Sequence, residues 1–198
     1  MNGKPLPIDH GAPVRIVVPG VAGARSVKWL DRITVQGEES HNHYQRRDYK
    51  ILPPEAADKE IAKEYWDKVP AIQDMPVNSV IASPQTGEKI ILEGDGTVEV
   101  KGYALPQGSD GPVIRVEVSV DKGNSWQEAE LSNDELRGRW SWSLWRAVVA
   151  IRPGKERTIL SRAIDKGGNT QEEYPVWNLR GVGYNGYGES RDLTVEFA

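Results

Sequence analysis

The sequence predicts a mainly β protein, with an α+β segment over residues 1–76 followed by an immunoglobulin-like antiparallel β-sandwich over 77–198. Two observations carry the sandwich. Short apolar runs in the second region alternate with polar neighbours, the period of two that a half-buried antiparallel sheet imposes. Turn-forming clusters separate those runs, and about seven short strands over roughly 100 residues is the pattern of such a fold. A third observation concerns the first region, where apolar Val14–Val18 ends at Pro19-Gly20 and a glycine-bearing loop opens into Arg25, Ser26 and Lys28.

Residues 1–37 read as loop, strand, glycine loop and strand, with Trp29, Leu30, Ile33 and Val35 giving the second strand its β-favouring character. Glycines in Gly20-Val-Ala-Gly23 let the backbone approach a ligand and turn N–H groups toward it. Arg25, Ser26 and Lys28 then supply a fork, a hydroxyl and a point charge, a donor set suited to phosphate. His10 and Arg15 lie just upstream. The spacing is not that of a P-loop, and a hairpin between two core strands with solvated basic residues at its tip satisfies the same pattern.

From Glu38 to Lys50 the chain is too polar for a core strand. His41 and His43 would fall on one side of an extended segment, the start of a zinc or copper site. Only Glu38, Glu39 and Asp48 are near in sequence, so solvated or hydrogen-bonded histidines fit the composition better. Pro53-Pro54 precedes Ala57, Ile61 and Tyr65 at i, i+4 and i+8, which predicts a short amphipathic helix. Proline-bearing Val69–Pro76 serves as a linker and sets the domain boundary near Pro76.

In the second region the alternating runs are Val98, Val100, Gly102 and Ala104; Ile114, Val116, Val118 and Val120; Trp140, Trp142 and Leu144; and Leu193, Val195 and Phe197. Turn signals fall between them at 108–112, 121–124, 153–154 and 165–169. With no cysteine pair to clamp two sheets, tryptophan and aliphatic packing must hold them. Trp145 lies on the face opposite Trp140 and Trp142, which makes it the candidate for a subunit contact or inter-domain packing. The stretch Trp177–Gly188, rich in glycine and tyrosine, reads on composition as a flexible connector before the last strand, with Arg180 a solvated cation.

Composition narrows the function classes. The chain has 198 residues, 25 basic against 29 acidic side chains and a formal charge of −4, a mixture that gives no footprint for nucleic acid or an anionic membrane. No apolar run approaches the roughly 20 residues needed to span a bilayer, and the amino terminus lacks signal-peptide character. A soluble, intracellular protein is expected, its compartment undetermined. The absence of cysteine excludes disulfides and thiolate metal ligands from this sequence.

Several motifs in order resemble the sulfite oxidase family, whose sister group is the assimilatory nitrate reductases. They are DHGAPVR from Asp9, VVPGVAGARSVKWL from Val17, Glu38-Glu39-Ser40, Gln45 to Lys50, Val98 to Tyr103, Arg115 to Asp121, Ser125-Trp126 and Trp177 to Gly181. The resemblance implies the carboxyl-terminal part of a molybdopterin domain, an incomplete α+β unit, followed by a dimerisation domain. It implies molybdenum-molybdopterin as the cofactor of the complete enzyme, with His10, Arg15, Ser26, Val27 and Lys28 on the pterin and its phosphate. It implies that Arg180 binds the sulfite anion, because nitrate reductases usually carry methionine at that motif position. The homodimer would form through the sandwich, and the complete enzyme would oxidise sulfite to sulfate. The molybdenum-ligating cysteine of the family has no counterpart here, so this chain alone is expected to be inactive. One departure is Gly186 to Leu193, which stands where animal and plant sulfite oxidases carry a Trp-His-Arg-Val pattern. A dimerising sandwich without catalysis and a nitrate reductase-like segment are the alternatives.

Overall fold

The computed structural model describes residues 1–132 and 138–198. It divides into two units, one of Met1–Met75 with Val176–Gly183 and one of Pro76–Pro175 with Tyr184–Ala198. The amino-terminal segment of the first unit ends at Met75 and the second unit begins at Pro76. The segment Val176–Gly183 belongs with the first unit, although the sequence reading assigned it to the second. Its Leu179 packs against the small core of Leu52, Ala56 and Ala62, a tie between distant positions that no local pattern signals.

The second unit carries the strands β1 (Asn78–Ser83), β2 (Lys89–Leu92), β3 (Thr97–Leu105), β4 (Val113–Ser119), β5 (Gln127–Glu128), β6 (Glu130–Leu131), β7 (Ser143–Ala150), β8 (Gly154–Asp165) and β9 (Gly188–Phe197). They form a four-stranded sheet in the order β1-β3-β7-β6 and a five-stranded sheet in the order β2-β9-β8-β4-β5. All pairings are antiparallel except β2 with β9, which is parallel. Val100, Trp145, Ala147 and Val149 from one sheet meet Val116, Val118, Ile159, Leu193 and Val195 from the other in a single core. A β-bulge between Val113 and Arg115 shifts the alternation of β4, so Val113 is buried and Ile114 exposed.

The inward face of β7 is the opposite of the one expected. Ser143, Trp145, Ala147 and Val149 point into the core, while Trp140, Trp142, Leu144 and Val148 are exposed. Trp145 is therefore a core residue and not an outward contact. The parity follows from the whole strand. The Trp145 row continues through Ala147, Val149 and Ile151 without a charge, whereas the Trp142 row is interrupted by Arg146. The indole also has a prepared seat. Gly102 lies opposite Trp145 in the ladder, and a Cβ at that glycine would come within 2.3 Å of the ring and 2.0 Å of the Val80 carbonyl.

Polar side chains close the turns. The buried Asp165 carboxylate accepts from the Gln107 N–H at 3.0 Å and the Asn169 N–H at 2.9 Å, joining two loops at one end of the sandwich. At the β4–β5 turn, Asp121 accepts from the Ser125 hydroxyl at 2.6 Å, the Ser125 N–H at 2.9 Å and the Ser119 hydroxyl at 2.8 Å. These donors, the Ser125 hydroxyl foremost, hold the Asp121 carboxyl down at about 2 against its ordinary 3.8.

Regular structure is sparse in the first unit. Short 3-10 turns occur at Ile8–His10 and Gly23–Arg25, a π-helical turn at Tyr44–Asp48, and one α-helix, α1, at Lys59–Ala62. Asp58 caps α1, its carboxylate accepting from the N–H groups of Glu60 and Ile61 at 2.8 and 2.9 Å. The helix expected near Ala57–Tyr65 exists but is confined to that one turn, with tighter turns after it. The two strands expected around the glycine loop are extended segments tied by the bonds Ile16 N–H to Val27 O and Leu30 N–H to Val14 O, each 2.9 Å. Val17, Ile33 and Val35 remain exposed.

Two outcomes follow. Trp145→Ala should lower stability by about 3 kcal/mol, the low end of the range for a buried aromatic, because its indole N–H is buried without a partner and its loss removes that cost. Trp142→Ala, from the exposed face, should cost about 1 kcal/mol from its stacking on Tyr103; urea unfolding of both variants checks the order. In acid, a carboxyl with a depressed folded-state value stabilises above its unfolded value and loses that contribution as pH falls through the folded one. The stability difference between wild type and Asp121→Ala should therefore be full at neutral pH, shrink below 3.8 and vanish near 2, as read by unfolding at a series of pH values.

Candidate functional site

The residues singled out around the glycine loop come together, and Arg15 is the hub. Its guanidinium donates to the His10 carbonyl at 3.1 Å and to the Ser26 carbonyl at 3.3 Å. That bridge joins the 3-10 turn at Ile8–His10 to the end of the glycine loop. Next to it, Lys28 Nζ donates to the Asp9 carbonyl at 2.8 Å and Trp29 Nε1 to the Ile8 carbonyl at 2.9 Å. Gly11 makes the approach feasible. It sits at φ +105°, and a Cβ there would be 2.9 Å from the Lys28 Cβ, so a side chain would force the two segments apart.

Within this cluster the Ser26 hydroxyl accepts from the Val18 N–H at 3.1 Å and can still donate its own proton. The Val27 carbonyl is used by Ile16 and its side chain is exposed. His10 and Lys28 are exposed and Arg15 is half-buried. His10 and Ser26 are thus joined through Arg15, and Lys28 ties the following residues back to the same 3-10 turn.

Arg25 does not join it. Its guanidinium donates to the carbonyls of Tyr44 and Ile72, each at 3.2 Å, and lies 5.8 Å from the centre of the Tyr49 ring. Of the three side chains expected to seek an anion, this one is committed to fastening the polar segment 44–49 to the linker.

Arg180 occupies a second position in the unit. Asn178 folds the turn that presents it, donating from its amide to the Val182 carbonyl at 3.0 Å and accepting from the Val182 N–H at 3.2 Å, with Gly181 at φ +61°. Arg180 is thus held on a built turn and not on a loose connector. Its Nη1 pairs with Asp48 at 3.3 Å, and His43 Nε2 approaches the same carboxylate oxygen at 3.3 Å. Asp48, weighed in the sequence only as an acid near His41 and His43, is the neighbour that pairs with Arg180. The signal was its place in the Gln45–Lys50 motif, read only as part of a resemblance. His41 accepts from Arg46 at 3.1 Å, so each histidine of the pair has its own partner. Among the described residues no cluster of His, Cys, Asp or Glu could hold a metal ion, and no helix is long and apolar enough to cross a membrane.

Comparison with known proteins finds two family models along the chain. Residues 69–190 match the Mo-co oxidoreductase dimerisation domain, and residues 1–44 match the oxidoreductase molybdopterin binding domain. Mitochondrial sulfite oxidase of Homo sapiens is 50% identical over 187 residues, covering 92% of this chain and 33% of that protein. Nitrate reductase [NAD(P)H] of Hordeum vulgare is 38% identical over 193 residues, covering 91% of this chain and 21% of that protein. Among solved structures, the sulfane dehydrogenase SoxCD from Paracoccus pantotrophus superposes with a TM-score of 0.76 at 26% identity, over 100% of this chain and 49% of that one. The chain spans about a third of the length of the human relative. A dimerisation-domain match over most of the chain, with half of all aligned residues identical to a sulfite oxidase, places this protein in the sulfite oxidase family of molybdopterin oxidoreductases.

Proposed function

We propose that this chain serves a sulfite-oxidising molybdoenzyme as the part that grips the pterin phosphate, contributes a substrate-binding arginine and joins two copies. The ties of Arg15 to His10 and Ser26 and of Lys28 to Asp9, which bring the glycine loop against the 3-10 turn, support the first role. Arg15 is used mainly as a brace, since two carbonyls already take its donors. The phosphate charge is then met by Lys28, with His10 and the Ser26 hydroxyl as hydrogen-bonding partners. A preset arrangement of this kind spends little ordering free energy when the ligand arrives.

Arg180 supports sulfite as the anion. A guanidinium has five N–H donors, and Asp48 engages one of its nitrogens here, which leaves a fork for an oxyanion. Asp48 holds the side chain extended while no anion is bound and offsets its charge. An arriving anion competes for the same cation, so binding and release both stay within modest free-energy changes. The bound molybdenum-pterin group supplies oxygen-atom transfer to the sulfur. The metal's thiolate ligand has to come from residues outside this sequence, which has no cysteine.

Two measurements in the complete enzyme test this. Lys28→Ala should reduce pterin retention about tenfold to a hundredfold, the equivalent of one charge-assisted hydrogen bond of about 1.5–3 kcal/mol, with only the small loss of stability that its exposed bond to the Asp9 carbonyl accounts for. Arg25→Ala should do the reverse, loosening the first unit with a smaller effect on retention. Equal losses of pterin at unchanged stability would indicate a generic basic patch, and normal retention in Lys28→Ala would favour a sandwich that only associates. Arg180→Met should raise the sulfite KM by about tenfold or more while molybdenum content stays constant; an unchanged KM removes Arg180 from the substrate site.

A further inference from the structure

One oxygen of Asp48 serves two side chains. His43 Nε2 and Arg180 Nη1 both reach its Oδ1, each at 3.3 Å. The sharing follows from an unusual turn. Tyr44–Asp48 is π-helical, with His43 as its amino-terminal cap. A π-turn closes between residues five apart, so it brings the side chain of His43 over that of Asp48, where the tighter α-turn would bring Arg46 or Arg47. Those arginines are committed elsewhere, donating to Asp67 at 2.8 and 3.0 Å, and Arg25 fastens the turn through the Tyr44 carbonyl at 3.2 Å.

We propose that His43 is a positioning residue for the sulfite-binding arginine. By holding one oxygen of Asp48 it keeps that carboxylate from closing as a two-point clamp on Arg180, and so leaves the guanidinium fork free for the anion. The proposal rests on the reading of Arg180 given above and adds the residue that regulates it. A carboxylate that meets an arginine with both oxygens makes two parallel bonds of about 2.7–2.9 Å. Here the pair is a single contact of 3.3 Å, through the oxygen that the imidazole also uses. The ring donates to that oxygen whenever Nε2 carries its proton, with the other nitrogen protonated or not. Sulfite then has one long contact to displace, and the remaining donors of the guanidinium are already turned outward from the acid.

Packing gives His43 little to do. Its side chain is 67% exposed, and its ring meets Tyr44 edge-on at 6.1 Å, a contact that a phenylalanine would keep. The nitrogen facing Asp48 is what distinguishes it. His41, two residues earlier, serves a different pair, its Nδ1 lying 3.1 Å from Arg46 Nη1, the arginine that Asp67 holds. It is therefore the control for losing an imidazole from this segment.

Steady-state kinetics of the complete enzyme with sulfite test the assignment. His43→Phe should raise the sulfite KM about twofold to tenfold, the equivalent of one ordinary hydrogen bond, at unchanged kcat and molybdenum content. His43→Gln, whose amide can still donate to Asp48, should recover most of that loss, and His41→Phe should keep the wild-type KM. In an Asp48→Ala background His43→Phe should have no further effect, because the group it restrains is gone. An unchanged KM in His43→Phe, an equal rise in His43→Gln or His41→Phe, or a rise that persists without Asp48 overturns the proposal, the last by making His43 a direct contact of the anion. Arg180→Met measured alongside separates the two levels. If it leaves KM unchanged, the substrate reading of Arg180 falls and this proposal with it, whereas a raised KM in Arg180→Met with none in His43→Phe removes His43 alone.

Discussion

Strand β7 can turn only one of its two faces inward, and the sandwich depends on which. With no disulfide between the sheets, the largest side chain in the core has to find its volume from the opposing strand, and Gly102 provides it by having no Cβ where the Trp145 ring lies. Once that indole is seated, Ser143, Ala147 and Val149 must follow it inward and Trp142, Leu144 and Val148 must face outward. The same constraint that fills the core therefore leaves those three apolar side chains exposed. A one-residue slip of β7 against β3 would bury Arg146 and lose the glycine seat, so register is strongly fixed.

The first unit is organised on different terms. Where the sandwich satisfies backbone groups by ladders, the segment Pro7–Asp48 relies on long side chains that donate to carbonyls: Arg15 to His10 and Ser26, Lys28 to Asp9, Trp29 to Ile8 and Arg25 to Tyr44 and Ile72. Such bonds reach between segments that lie side by side without forming a sheet, and those to charged groups are stronger than average. Arginine and lysine thus do two jobs in one short stretch. Arg25 is wholly structural, Arg15 braces the loop while remaining half-buried at its edge, and Lys28 keeps its ammonium at the surface.

Much of this was legible in the residues, and the failures have physical causes. The strands β3, β4 and β9 announced themselves by period two, and the turn at Asp121 by its Asp, Gly, Asn and Ser. Strand β8 did not, because its bulges between Gly154, Arg157 and Ile159 break the alternation. The inward face of β7 was misread because three large apolar residues, Trp140, Trp142 and Leu144, outweighed a longer row of smaller ones. Volume is a poor guide when a strand carries large apolar residues on both of its faces. In the first unit the closeness of the turn at Ile8–His10 to the end of the glycine loop, and the diversion of Arg25 away from it, could not be read from the residues. The carbonyl partners of Arg25 are Tyr44 and Ile72, 19 and 47 residues away, and a carbonyl leaves no trace in a sequence.

The segment Trp177–Gly183 shows most sharply what composition cannot convey. Glycine and tyrosine suggested slack, yet the Asn178 side chain closes a defined turn, Gly181 and Gly183 adopt positive φ, and a Cβ at Gly183 would meet Ile51 at 2.7 Å. Gly181 serves the left-handed turn, and Gly183 also allows close packing. Leu179 inserts into the core of Leu52, Ala56 and Ala62, and its neighbour Arg180 is thereby directed away from that core toward Asp48. Adjacent residues on a tight turn point in different directions, so burying one fixes the other. A leucine anchor thus positions the substrate-binding arginine proposed here, and the stability of that small hydrophobic cluster governs how firmly the cation is held.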